Sequence, residues 1–368
     1  MTATGGSTRL AKWRSLPGPS QSVEKHCRES QGSSWAPTPS TLCQQGEDGL
    51  DCTDIIFSSS PCPLPPYIIK VSDLERASVW DSHCHLDFLA RRLLQKRVRE
   101  GHSLDISLRL DGQQLGDKFG GCVANFCDPR DWAMGRHSQQ VSSVLEDCRT
   151  QDRVFLAIGC HPHFADKLLA GARLLQLERL ARSYRGRLVA IGECGLDNSQ
   201  KNTVMMAVQK KAFAAQVELA LKLRLPLVLH IREAEEEGRQ VLREAGVPKD
   251  WPIHRHCFSE GWEVAASWLR LYPASMLGIT GLVTYQTAGP VHEVARQLPL
   301  KHLLLETDSP YFLPTGVCRK SYKYSFAQPG HVIHVAAQIA ALRKIPTVTV
   351  LMANRKNIRK CYNIEIAD

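Results

Sequence analysis

The sequence predicts an α/β protein, a (β/α)8 TIM-type barrel behind an N-terminal tail expected to be disordered. Three features of the 368-residue chain carry that expectation. From about residue 77, short apolar runs alternate with stretches of helical periodicity. There are eight such runs, the number that closes a parallel barrel. Polar residues able to bind metal recur at the C-terminal ends of those runs, where barrels of this architecture place their sites. An open doubly wound sheet is the alternative with the same alternation.

The tail is assigned to residues 1–75 and the barrel to residues 76–368. The first part is rich in Ser, Pro, Gly, Thr and Gln, and pieces such as Pro61-Cys62-Pro63-Leu64-Pro65-Pro66 carry too little apolar surface to fold alone. The expected strands are Ser78–His83, Gly121–Phe126, Val154–Cys160, Leu188–Glu193, Leu227–His230, Ile253–Cys257, Ser275–Gly278 and His302–Glu306. Several are almost wholly apolar, as parallel strands covered on both faces are. The expected helices are Asp131–Arg149, Lys167–Tyr184, Thr203–Leu223, Ala234–Ala245, Gly261–Leu271 and Val291–Leu298, closed by a pair near Gly330–Arg343 and Thr347–Cys361. The charged segment Arg91–Lys118 reads as an excursion in the first βα loop.

A formal charge of +9 and a pI near 8.9 favour a polyanionic partner. The 13 cysteines are scattered, several beside apolar strands, which suggests reduced core thiols in an intracellular protein of the nucleus, the cytoplasm or both. Met1–Ser20 has no apolar stretch of the secretory kind, and no uncharged apolar run approaches the ~18–20 residues that cross a bilayer. A soluble protein with no membrane partner is expected.

The chemistry starts at Asp81-Ser82-His83-Cys84-His85. Histidines two apart on an extended segment project to one side and can share a divalent ion, with Asp81 in position to orient an imidazole. The strand ends, in order, carry His83 and His85, Asn125, His161, Glu193, His230, His256, Thr280 and Asp308. A site for two divalent ions (Mg, Mn or Zn) needs roughly six protein ligands, one carboxylate bridging. Glu193 reads as that bridge, with His83, His85 and Asp308 on one ion and His230 and His256 on the other. Asp308 also reads as the general base, which makes it, with Glu193, the expected catalytic pair. His161 reads as a contact for an anionic substrate oxygen, and neighbouring His163 as structural or assisting. Arg232 is expected either to contact phosphate or to pair with Glu233. Arg319, Lys320 and Lys323, interleaved with Tyr322 and Tyr324, suit phosphates and unstacked bases, or a solvated basic loop.

Taken together, Asp81–Asp87, Gly159-Cys160-His161-Pro162, Gly192–Asp197, Leu225–Glu233, His254–Ser259 and Glu306–Tyr311, with Gln209, Phe213 and Gln216, resemble the TatD family of metal-dependent deoxyribonucleases. The matches run in family order from about residue 78 to 360, and the His-Arg-His-Cys-Phe form is most similar to an animal branch. The resemblance implies a barrel of the metal-dependent hydrolase type and phosphodiester hydrolysis, often as a 3′ to 5′ exonuclease on single strands. Three positions depart from the family pattern: Asn198 for a usual tyrosine, Glu260 for glycine, and Gln328 within Ala327-Gln328-Pro329-Gly330. They bear on substrate recognition, not on the ligand set. The expected function is therefore a two-metal nuclease acting on DNA or RNA. A deacylase or lactonase using the same ions, or a non-catalytic nucleic-acid-binding barrel, are the alternatives.

Overall fold

The computed structural model describes residues 55–57, 64–65, 67–97, 118–130, 152–315 and 326–366, with single positions 115, 132 and 317. Eight parallel strands pair in chain order: β1 (Val79–Cys84), β2 (Phe119–Phe126), β3 (Val154–Ile158), β4 (Leu188–Asp197), β5 (Leu227–Arg232), β6 (Ile253–Arg255), β7 (Met276–Ile279) and β8 (Leu303–Leu305). The side-chain period of two sorts their residues into two apolar clusters. Val79, Leu156, Leu227 and Leu305 pack with the helices, while Trp80, Phe155, Val228 and Leu304 pack with Ile358, Tyr362 and Ile364 from the C-terminal end of the chain. Both faces are apolar, which is why the strands read as continuous runs.

The helices are α1 (Leu86–Arg97), α2 (Ala165–Leu169), α3 (Arg173–Ser183), α4 (Met206–Leu223), α5 (Glu235–Glu244), α6 (Trp262–Leu271), α7 (Gly289–Gln297), α8 (Val332–Arg343) and α9 (Thr347–Tyr362). The single helix expected over Lys167–Tyr184 is two, separated at residues 170–172. Arg91–Arg97, read as the start of an excursion, continue α1. The expected helix Asp131–Arg149 and the rest of the excursion lie almost wholly outside the described residues, as do residues 1–54. Tyr67–Ile69, which composition places in the tail, form a short antiparallel pair with Ile55–Phe57, and a helical turn follows at Val71–Arg76. The Tyr67 hydroxyl lies 2.9 Å from His334 Nδ1 on α8, so the ordered chain begins before residue 76. No single helix among the described residues is long and apolar enough to cross a membrane.

The barrel closes where β8 meets β1, and side chains do part of the pairing. The buried Asn354 amide on α9 accepts from Leu305 N–H at 2.8 Å and donates to the Trp80 carbonyl at 2.8 Å, standing in for a peptide unit between the strands. Asp81 accepts from Thr307 N–H (3.0 Å) and from its hydroxyl (2.5 Å). Above these, Asp308 N–H donates to the His83 carbonyl (3.0 Å) and His85 N–H to that of Ser309 (2.8 Å). Removing the Asn354 amide leaves a buried donor and a buried acceptor unpaired. Asn354→Ala should therefore cost about 2–4 kcal/mol in urea unfolding; a loss below about 0.5 kcal/mol would mean the amide does not close the seam.

Candidate metal centre

Strand geometry delivers six side chains to the C-terminal mouth. His83 is the second-last residue of β1 and His85 follows the strand, Glu193 lies in β4, His230 in β5, and His256 and Asp308 stand just past β6 and β8. In the β4–β5 ladder Gly192 pairs with Val228 and Cys194 with Leu229, so Glu193 is an extra residue at a bulge, a device that re-aims a side chain. Gly195, at φ 147°, brings β4 so close to β5 that a Cβ there would collide with the His230 carbonyl oxygen.

Glu193 faces two groups at once. Its Oε2 lies 3.2 Å from His85 Nε2 and 3.8 Å from His83 Nε2; its Oε1 lies 2.8 Å from both His230 Nδ1 and His256 Nε2. Asp308 Oδ1 completes the first group, 3.2 Å from His85 Nε2 and 3.5 Å from His83 Nε2, and has no hydrogen-bond partner among the described residues. Ring nitrogens approach each other, His83 Nε2 to His85 Nε2 at 3.3 Å and His230 Nδ1 to His256 Nε2 at 3.1 Å. Two donors about 2.1 Å from one ion, at octahedral to tetrahedral angles, are about 3.0–3.4 Å apart. The buried, orphaned carboxylate oxygen and the paired nitrogens fit a divalent cation.

Backbone contacts set the tautomers of His85 and His161, and a carboxylate that of His230. His85 Nδ1 lies 3.1 Å from the Asn125 carbonyl, so it carries the proton and Nε2 presents a lone pair. His230 Nε2 faces Asp197 Oδ2 at 3.5 Å, leaving Nδ1 for the cluster. His161 is the reverse: its Nδ1 accepts from His163 N–H (3.1 Å), so Nε2–H points to the centre, 3.6 Å from Glu193 Oε1. Burial, reinforced by His230, holds His161 well below the ordinary histidine pKa, so the ring is a neutral donor. Burial pushes the Glu193 and Asp308 carboxyls up. The surrounding histidines more than offset it, and both stay well below the ordinary carboxylate range. Burial also opposes a proton on His230, but Asp197 and Glu193 prevail and raise it to about 9.

Beneath the cluster lies a polar layer that the sequence did not disclose. Glu306 Oε1 accepts from Cys257 N–H, and Oε2 lies 2.8 Å from His254 Nε2, in a pair fully out of water. His254 Nδ1 lies 2.6 Å from the Tyr362 hydroxyl, which donates to the Ser82 carbonyl (3.1 Å). With Tyr362 donating away, His254 Nδ1 holds the ring proton and Nε2 has a lone pair, so the proton between the two belongs to Glu306. Burial agrees, raising that carboxyl to about 8. Arg255 points the opposite way from its two histidine neighbours. Its guanidinium donates to the His256 carbonyl (2.8 Å), to that of Ile231, and to Glu235 (2.8 Å), tying the ends of β5 and β6 together.

Other expected site residues fall as follows. Asp81 touches no imidazole; its carboxylate is consumed by Thr307 and His83 N–H. Thr280 caps the turn after β7, accepting from Leu282 N–H (3.3 Å). Arg232 is half-buried and makes no side-chain hydrogen bond or ion pair, with Glu233 or otherwise, among the described residues. His163 pairs with Asp197 at 2.9 Å. Asn198 is exposed, Glu260 half-buried and outside the cluster, and Gln328 caps the turn Pro329–His331. Arg319, Lys320, Tyr322, Lys323 and Tyr324 lie outside the described residues. Asp197 and Glu306 were visible only as acidic residues inside conspicuous motifs.

Comparison with known proteins agrees with this geometry. A family model described as TatD related DNase matches residues 80–363. The human protein named 3'-5' RNA nuclease TATDN2 is 34% identical over 284 residues, covering 77% of this chain and 35% of the human one. The chain thus spans about a third of that relative's length. The Erwinia tasmaniensis protein named 3'-5' ssDNA/RNA exonuclease TatD is 33% identical over 228 residues, 62% of this chain and 84% of its own. The crystal structure of YJJV, a TatD homologue from Escherichia coli K12, shares the fold at a TM-score of 0.63 and 22% identity, covering 79% of this chain and 100% of that one.

Two outcomes test the site. Because His230 holds a proton up to a pKa of about 9, an ion must displace it. Burial opposes a proton on His85 too, but its neighbours, Asp308 and Glu193 among them, hold it well above the ordinary histidine value, so the apparent affinity of the metal-free protein for Mn2+ should rise at least roughly tenfold per pH unit from about pH 6 to 8. A calorimetric titration with no pH dependence would remove His230 from the ligand set. Glu306→Gln keeps both contacts, since its amide accepts from Cys257 N–H and donates to His254. It should stay within about 1 kcal/mol of wild type, whereas Glu306→Ala should lose about 2–4 kcal/mol in urea unfolding. Equal losses would show that Glu306 is not the proton donor.

Proposed function

The chain belongs to the TatD related DNase family, and on that footing we propose that it is a divalent-metal-dependent nuclease that shortens single-stranded DNA or RNA from the 3′ end. The observation that carries the reading is Glu193, its two oxygens turned to separate groups of candidate ligands. His83, His85 and Asp308 would hold one ion, His230 and His256 a second, with Glu193 between them. A histidine-rich set suits Mn or Zn alongside Mg. The names of the human and Erwinia relatives support the polarity, and the Erwinia name supports the choice of single strands. The seven cysteines among the described residues that form no disulfide support an intracellular setting, in the nucleus, the cytoplasm or both.

Ions held there supply the positive charge that polarises a phosphodiester and makes water easier to deprotonate. The chain's own residues do the rest. Asp308, kept ionised by the rings of His83 and His85, receives the proton of the attacking water. His161 donates its Nε2–H to a non-bridging phosphate oxygen, where a neutral donor stabilises developing charge. Arg232, with no partner of its own among the described residues, takes the neighbouring phosphate.

A matrix of Mg2+, Mn2+ and Zn2+ against end-labelled single- and double-stranded DNA and RNA tests the reading. Stepwise 3′ shortening of single strands should fall at least roughly 100-fold in Glu193→Gln and Asp308→Asn. Wild-type turnover of esters or lactones, with no release of nucleotides, would overturn it.

A further inference from the structure

Beside His85 stands a group of side chains that neither the metal centre nor the core employs. Phe88 on α1 stacks on the His85 ring, with centroids 4.8 Å apart and planes 23° from parallel. Tyr311, in the loop after β8, meets the same ring edge-on at 6.4 Å. It is placed there by its own N–H, which donates to the Asp308 carbonyl at 2.9 Å. Arg91 and Arg92 follow Phe88 by three and four residues, so helical geometry sets them on its face. The Arg91 guanidinium lies 5.4 Å from the Phe88 centroid and that of Arg92 lies 5.0 Å from the Tyr311 centroid. All four side chains are half-buried, and neither aromatic ring joins an apolar cluster of the barrel.

We propose that Phe88, Tyr311 and Arg92 form a stacking subsite for an unpaired nucleobase at the 3′ end of the strand; this rests on the nuclease reading. Aromatic faces beside guanidinium groups offer what an unstacked base and its phosphate need: a π-surface and a fixed cation. Both rings touch His85, so a base seated on them has its phosphodiester at the ligand cluster. A base inside a duplex has no free face to offer, so the subsite itself selects single strands. It reads no base edge and accepts DNA and RNA alike.

Binding is measured by fluorescence anisotropy with the full chain in EDTA, so that turnover does not intervene. The probes are a 5′-fluorescein octathymidylate and the same strand with abasic residues at its last two 3′ positions. Wild type should bind the abasic strand roughly 5- to 100-fold more weakly. In Phe88→Leu and Tyr311→Leu that ratio should collapse toward one, whereas Arg92→Gln should weaken both strands and lower the salt dependence by about one phosphate contact. Equal binding of the two strands by wild type, or an undiminished ratio in folded variants, overturns the subsite. If one leucine variant fails to fold, the wild-type ratio and the other variant still decide. Failure of the nuclease reading would look different: the base preference in EDTA persists, while no 3′ shortening occurs with any metal.

Discussion

The closure of β8 onto β1 is the constraint on which the site depends. Asp308 donates its N–H to the His83 carbonyl while its carboxylate faces the His83 and His85 rings, so one contact closes the barrel and sets the ligand spacing. Asp308 reaches this position at a φ of +51°, a left-handed conformation costly for a residue with a side chain. Glu233 and Cys257, at the neighbouring mouth positions, share it at +52° and +46°. Such conformations persist only where surroundings over-determine them. Here the surroundings are the Asp81–Thr307 pair below and Asn354 at the foot of the seam.

Burying two ionised carboxylates among five imidazoles demands compensation from every side. The protein concentrates the charge at the mouth and keeps the layer beneath it neutral. A protonated Glu306 donating to a neutral His254 adds no third anion under Glu193 and Asp308, yet still satisfies Cys257 N–H and, through Tyr362, the Ser82 carbonyl. Gly278 leaves the room, since a Cβ there would overlap both Glu306 and His254. The buried guanidinium of Arg255 is turned outward onto Glu235, where it braces the ligand-bearing strands without facing the ligands.

The fold was legible because its signals are local and repetitive: continuous apolar strands, helices between them, and a polar residue at each strand end. The six candidate ligands were legible for the same reason, since alternation on a strand fixes which residues reach the mouth. The layer below them was not. Glu306, His254 and Tyr362 are separated by up to 108 residues, and only closure brings them together. Asp81 was misread because its distance in sequence from His83 suggested a ring contact, whereas the seam places Thr307 nearer. Gln328 looked like a departure touching substrate; it satisfies a helical turn instead. The described part of residues 1–75 was hidden by proline-rich flanks, although Tyr67 and Ile69 bury against the barrel.

Residue type alone does not separate the histidines that suit an ion from the one that suits a substrate oxygen. Backbone polarity does. A carbonyl behind His85 draws the proton to Nδ1 and turns a lone pair inward; an N–H behind His161 takes the Nδ1 lone pair and turns a proton inward. Two identical rings, both within reach of Glu193, are thereby given opposite chemistry by the strand ends that carry them. β2 offers a carbonyl because Asn125, its second-last residue, lies in a straight parallel ladder, and the turn after β3 offers an N–H because Pro162 starts a 3-10 turn immediately beyond His161. The division of labour at the centre follows from how each strand ends, one level below the side chains that perform it.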